Sequence, residues 1–257
     1  MRLIGDLTYL DIPQRIRESS VLCWPIGAVE QHGPHLPLNT DVVIAEGFTR
    51  LLVSRLGDAF DLWQLPTISV SLSREHEWAP GTMSLSVPTF TALIRETGQQ
   101  IARALPARNL LIVNGHGGNR GILEPLMLDL NRDFGLNCCA VHPLTLSKID
   151  IDAVVPDVHG AKSETSMMLA LAPHLVHREL IAKLEKKPDA ETIRRTVLEP
   201  GVTWPWSSDD ARIADKGVIG DIAEASEDFG KHLLDRAVDE ARSVLQRLLD
   251  NEKIARG

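Results

Sequence analysis

The feature that most limits how this chain can fold is a repeated alternation: a short apolar run, a polar loop, then a stretch with helical spacing. Residues 21–29 (VLCWPIGAV) form the first apolar run, and the stretch 41–56 follows its loop. There Val42, Ala45, Phe48, Leu52 and Leu56 recur near a 3.6 period. Apolar runs at 62–70, 109–113 and 138–141 and helical patterns at 87–105 and 122–134 continue the alternation. It predicts an α/β fold with a mostly parallel central sheet and helices on both faces. Pro25 predicts an irregularity in the first strand. Thr40 or Asp41 is the expected cap of the first long helix. Further on, 164–171 reads as a short helix and 227–249 as a long amphipathic one. The polar stretch 183–208, with Trp204 and Trp206, reads as an excursion over the surface. No composition break marks a second domain, so residues 1–257 are read as one.

Charge and cysteine usage narrow the function classes. Lys plus Arg is 27 and Asp plus Glu is 35, a formal net charge of −8. Phosphate binding needs a basic stripe, so nucleic acid is not the expected partner, and neither is an anionic membrane surface. No apolar run approaches the ~20 residues of a membrane span. The opening residues lack a secretory pattern, which makes cytoplasmic the expected location. Cys23, Cys138 and Cys139 lie in apolar runs and read as reduced core thiols.

Chemistry-bearing residues gather in loops that follow strands, where open α/β sheets bind ligands. The first loop runs Glu30-Gln-His32-Gly-Pro-His35 to Asp41; the second holds Glu75, His76 and Trp78; the third is Asn114-Gly-His116-Gly117-Gly118-Asn119. A later segment adds His159 and Glu164. Glu30 and His32 are two apart, so an extended strand end points both to one side. Glu, His and Asp together suit Zn, Mn or Fe(II). Glu30, His32, Asp41, His116 and Glu164 supply the five or so ligands that two bridged ions need. Taken alone, an E-x-H pair suits a surface, His35 between two prolines suits a rigid turn, and NGHGGN suits an Asn-Gly turn. Four such loops together favour the metal.

These motifs resemble the creatininase (creatinine amidohydrolase) family: EQHGPHLPL with Asp41, His76 with Pro80-Gly-Thr82, NGHGGN, His159-Gly with Glu164-Thr-Ser, and Gly217-Val-Ile-Gly220. The resemblance implies an α/β/α layered fold, two divalent ions per chain and a homo-oligomer, most often a hexamer. It implies that Glu30 and His116 bind one ion, that His32 binds the other, and that Asp41 bridges them. Creatininase proper carries a carboxylate two residues after the His of the third loop. Here that residue is Gly118, so the chain resembles an NGHGGN-type member, and Glu164 becomes the candidate to complete the second ion's shell. His159 resembles the substrate-side histidine.

The expected activity is metal-assisted hydrolysis of an amide C–N bond in a small molecule, expected to be cyclic. Glu164 or His159 would move the proton, with His159 favoured if Glu164 is a ligand. His76, Glu75, Trp78 and Gly117 are the expected substrate contacts. The alternatives are a peptidase or deformylase of the same family, a metal-dependent isomerase or lyase, and a non-catalytic assembly protein.

Overall fold

The computed structural model describes residues 2–149, 155–184 and 189–256. Four strands, β1 (Val21–Ile26), β2 (Leu62–Gln64), β3 (Asn109–Asn114) and β4 (Asn137–Val141), form one parallel sheet in the order β2-β1-β3-β4. The chain leaves β1 for β2 on one side and returns to β3 on the other. The connections beyond the carboxyl ends of β1 and β3 therefore diverge and leave a crevice between them. The long helices are α1 (Thr40–Phe60), α2 (Val87–Ala104), α3 (Arg120–Phe134), α4 (Lys162–Leu171) and α5 (Glu227–Arg256).

The period-two alternation of the strands sorts side chains into two cores. Val21 and Cys23 of β1 and Leu111 and Val113 of β3 pack with Phe48 and Leu52 of α1, Met167 and Met168 of α4, and Leu234 and Leu245 of α5. Leu22, Trp24, Leu110 and Ile112 point the other way, onto Phe90 and Ile94 of α2 and Leu126 and Leu130 of α3. Two layers of helix thus enclose the sheet, as the sequence predicts. All three cysteines are free thiols, Cys23 fully buried. Among the described residues no helix is long and apolar enough to cross a membrane.

Several local expectations need correction. Pro25 does not disrupt β1, which stays in register with β3 through the Pro25–Val113 pair. In a parallel sheet a residue's N–H and C=O face the same neighbour. The Pro25 carbonyl accepts from the Ile68 amide on the β2 side, past the last β1–β2 pair, Cys23–Gln64, so the missing N–H breaks no ladder bond. The first two strands are also shorter than their apolar runs, with only single bridges at Val29–Met83 and Ile26–Ile68. Neither Thr40 nor Asp41 caps α1. They are its first residues, the Thr40 hydroxyl donates to the Pro37 carbonyl, and the Asp41 carboxylate turns to histidines instead. The stretch 183–208 is more than a surface excursion. Residues 185–188 of it lie outside the described residues, but Ala190–Thr196 is helical and buries Ile193 against Ile213 and Ile219.

Phe48 is fully buried on α1, the helix whose first turn carries Asp41. Phe48→Ala should destabilise the fold by ~3–5 kcal/mol, read from chemical denaturation, while the metal content of the folded fraction stays unchanged. A loss below about 1 kcal/mol would contradict this core assignment.

Candidate metal centre

Four segments converge at the crevice. Glu30 and His32 stand on the connection after β1, His116 on the loop after β3, Asp41 in the first turn of α1, and Glu164 in the first turn of α4. Glycines set the approach: a Cβ on Gly27 would lie 2.6 Å from the Val42 amide nitrogen, and one on Gly115 would collide with the Asp41 carbonyl. Only side-chain-free residues at these strand ends let the start of α1 enter between them. The Asn114-Gly-His-Gly-Gly-Asn119 loop is stitched by its own ends. The Asn114 amide donates to the His116 carbonyl at 2.6 Å, and the Asn119 amide donates to Asn114 Oδ1 at 3.1 Å.

Asp41 sits between two imidazoles, Oδ1 3.1 Å from His32 Nε2 and Oδ2 3.0 Å from His116 Nδ1. His116 Nδ1 is also 3.1 Å from Glu30 Oε1. Glu164 Oε2 lies 3.8 Å from His32 Nε2 and accepts from the Gly160 amide. Ligand atoms cluster as Glu30, Asp41 and His116, as His32, His159 and Glu164, and as Glu30, His76 and His159. His159, expected on the substrate side only, therefore also offers a ligand atom. His35 takes no part. It is buried and bonded through Nε2 to the Thr165 hydroxyl, a structural histidine.

Backbone partners fix two tautomers. A carbonyl can only accept, so His32 Nδ1–H donates to the Glu30 carbonyl at 3.2 Å, and Nε2 faces Asp41 at 3.1 Å as the nitrogen that donates to the carboxylate or, once deprotonated, would meet a metal. His159 Nε2–H donates to the Gln31 carbonyl at 2.6 Å, which leaves Nδ1 bare, 3.8 Å from Glu30 Oε1. Burial works against every charge here, and the outcome depends on neighbours. Burial opposes the His32 cation, but the Asp41 carboxylate outweighs it and pushes His32 up to about 10. His116 is raised well above its usual value against burial, chiefly by Glu30. Burial also opposes the Asp41 anion, yet His32 and His116 hold its carboxyl well below the usual range. Burial raises Glu30 and lifts Glu164 to about 7. It drives His76 down to about 3 and His159 well below the usual value, so both are neutral.

A divalent cation fits this donor set. Both Glu30 oxygens, Asp41 Oδ2 and His116 Nε2 are buried without a hydrogen-bond partner. Unsatisfied buried carboxylate oxygens are costly unless something cationic completes them. The set opens onto a cavity of ≈ 450 Å³ lined by Glu30, Glu75, His76, His116, His159 and Glu164, among others. A larger groove of ≈ 840 Å³ beside Gly47 and Leu171 is lined by none of these residues.

The Creatininase family model (creatinine amidohydrolase) matches residues 5–245. The chain belongs to the creatininase family. It is 32% identical over 248 residues to the mycofactocin precursor peptide peptidase of Mycobacterium tuberculosis, covering 93% of this chain and 89% of that protein. It is 27% identical over 260 residues to the creatinine amidohydrolase of Pseudomonas putida, covering 91% and 92%. A solved creatininase structure superposes with a TM-score of 0.77 at 23% identity, covering 96% of this chain and 97% of that one. The chain is accordingly an amidohydrolase of a family that uses divalent metal.

Within that family frame, Gly118 and Glu75 belong together. A Cβ on Gly118 would run into the Glu75 carboxylate and come within 2.5 Å of His116 Nε2. The Glu75 carboxylate already stands 3.6 Å from that nitrogen. Glu75, His76 and Gly117 line the cavity, whereas Trp78 does not; it is 44% exposed and gives its indole N–H to Ser208. Trp204, Trp206 and Arg74 line the cavity instead. Sequence reasoning also misses Gln31 and Ser208, which bond to the site histidines. Gln31 at least sits between two candidate ligands in the sequence, whereas nothing local marks Ser208.

Metal loading should release protons. His32 and His116 carry raised values and are charged at pH 8, while a ligating nitrogen must be neutral. For the metal-free chain, the stabilisation from charged His32 is complete below its unfolded value near 6.5 and is lost as pH rises through about 10. Zinc affinity should therefore rise with pH over this interval. Calorimetry at pH 8 in buffers of different ionisation heat should show proton release; heats independent of buffer would refute it.

Proposed function

We propose that this chain hydrolyses an amide C–N bond in a compact, expectedly cyclic, small molecule, with two divalent ions (zinc, manganese or iron) as cofactors. The observation that carries this reading is the set of buried, unpartnered carboxylate and imidazole atoms at the floor of the ≈ 450 Å³ cavity. Glu30 and His116 would hold one ion, His32 and Glu164 the other, and Asp41 would serve both. When bound, such ions lower the pKa of water from 15.7 to about 7 and polarise a carbonyl oxygen. Neutral His159 faces the cluster through bare Nδ1, so it can take a proton from water and return it to the leaving nitrogen. Glu164 is then a ligand rather than the shuttle. His76, Glu75 and Gly117 contact the substrate, and Trp204 and Trp206 cover it.

A second reading is a peptide amide bond. It is favoured by the peptidase relatives at 32% identity and by the cavity's exposed rim, where Trp204 is 53% accessible and a longer chain could leave. We also infer a cytoplasmic homo-oligomer, most simply a hexamer. Light scattering at micromolar concentration giving a mass near 28.3 kDa would refute the oligomer.

Elemental analysis of metal-replete protein should give close to two ions per chain. Asp41→Ala should lose both, whereas His32→Ala and His116→Ala should each mainly weaken one. Full metal content and full activity in Asp41→Ala would defeat the bridging role. Among substrates, creatinine should be poor, because the carboxylate that creatininase carries two residues after the third-loop His is replaced by Gly118. A panel of cyclic amides and short peptides decides between the two readings. A creatinine kcat/KM above roughly 10⁴ M⁻¹s⁻¹ would show that the glycine does not exclude it.

A further inference from the structure

Ser208 belongs to no motif of the chain, yet its buried hydroxyl is a crowded polar contact beside the cavity residue His76. Three side chains reach it: Trp78 Nε1 at 2.8 Å, Gln31 Nε2 at 3.0 Å and His76 Nδ1 at 2.7 Å. A serine hydroxyl has two acceptor positions and one proton. The indole N–H can only donate, so Trp78 fills one acceptor position.

Gln31 fills the other, because backbone groups fix its amide orientation. The Gly33 amide can only donate, and it bonds Gln31 Oε1 at 2.8 Å; the Gly217 carbonyl can only accept, and it faces Gln31 Nε2 at 3.1 Å. Nε2 is therefore the NH2 end; His159 Nε2, 3.1 Å away, already carries a proton for the Gln31 carbonyl and cannot accept, so the second Gln31 proton goes to Ser208 at 3.0 Å. Both acceptor positions being filled, the Ser208 proton has two acceptors in reach, the Glu75 carbonyl at 3.4 Å and His76 Nδ1 at 2.7 Å, and the much shorter contact is His76. Gln31 Nε2, 3.1 Å from the same nitrogen, is likewise a donor only.

We propose that Ser208 is a positioning residue which holds His76 in the Nε2–H tautomer, so that His76 faces the cavity as a hydrogen-bond donor and not as a metal ligand. His76 Nε2 points at Glu30 Oε1, 3.7 Å away. His76 and His159 are stacked, with ring centroids 3.9 Å apart and planes 19° from parallel. The two rings present opposite functions to one cavity. His159 offers a bare nitrogen, and His76 offers an N–H suited to a carbonyl oxygen that gains negative charge. The Ser208 amide also donates to the Glu75 carbonyl at 3.0 Å, so the segment carrying Trp204 and Trp206 is tied to the turn that carries His76. The donor role rests on the hydrolase reading of the site, whereas the tautomer does not.

The test is long-range ¹⁵N–¹H NMR on the zinc-loaded protein, which reports histidine tautomers without any turnover. Wild type should show His76 protonated at Nε2 and bare at Nδ1. Ser208→Ala should give a mixed tautomer, and Ser208→Thr should restore the single one. Trp78→Phe, which keeps the hydroxyl but frees an acceptor position, should also mix it, and stands in if Ser208→Ala does not fold. On whichever amide the enzyme turns over, Ser208→Ala should lower kcat by about 10–100-fold with KM little changed. A merely structural loosening of the covering segment would raise KM instead. Protonation of wild-type His76 at Nδ1, zinc bound at its Nε2, or an unmixed tautomer in both variants would overturn the proposal. A correct tautomer without turnover on any amide would count against the hydrolase reading alone.

Discussion

Asp41 divides its two carboxylate oxygens between His32 and His116, and the rest of the centre is arranged around that division. Its backbone starts a helix, where the positive end of the macrodipole favours an anion. Gly27 and Gly115 let that helix start enter between the ends of β1 and β3. Strand order, helix start and loop glycines thus meet at one residue. A carboxylate in this place is fully removed from water, a state tolerable only with cationic partners. The histidines supply the positive charge when no metal is bound, and cations can replace their protons.

Much of this was legible in the sequence because it is written in local pattern. The alternation of apolar runs and helical stretches gives the layers, since burying both faces of a parallel sheet demands continuous apolar strands. Glu30, His32, His116 and Glu164 stood out because each sits in a polar loop or helix start next to an apolar segment. The structure brings all of them together with Asp41. Helix ends read poorly by comparison. Asp41 looked like a cap because Asp is a good cap, but tertiary partners took its side chain.

What the sequence hid depends on contacts between distant segments. Ser208 is 177 residues from Gln31 and 132 from His76, and no spacing rule links a lone serine to either. Trp78 looked like a substrate contact because it neighbours His76, yet the short turn Arg74–His76 carries it outward and its indole N–H serves Ser208. Trp204 and Trp206, which do line the cavity, lie in a stretch whose periodicity reveals nothing about the site.

At Gly118 the polar group beside His116 comes from a different loop. Removing a side chain there leaves space that the Glu75 carboxylate fills from a different loop, against the outer nitrogen of His116. At 3.6 Å the Glu75 carboxylate makes no hydrogen bond to that nitrogen, and it acts there as a nearby polar group only. The three carboxylates Glu30, Asp41 and Glu164 would sum to −3, and the two divalent cations of the proposed function would bring the centre to +1. The Glu75 carboxylate stands just outside this set, 3.6 Å from His116. In the proposed hydrolase, recognition would fall to shape and hydrogen bonding through Trp204, Trp206 and His76, which line the cavity.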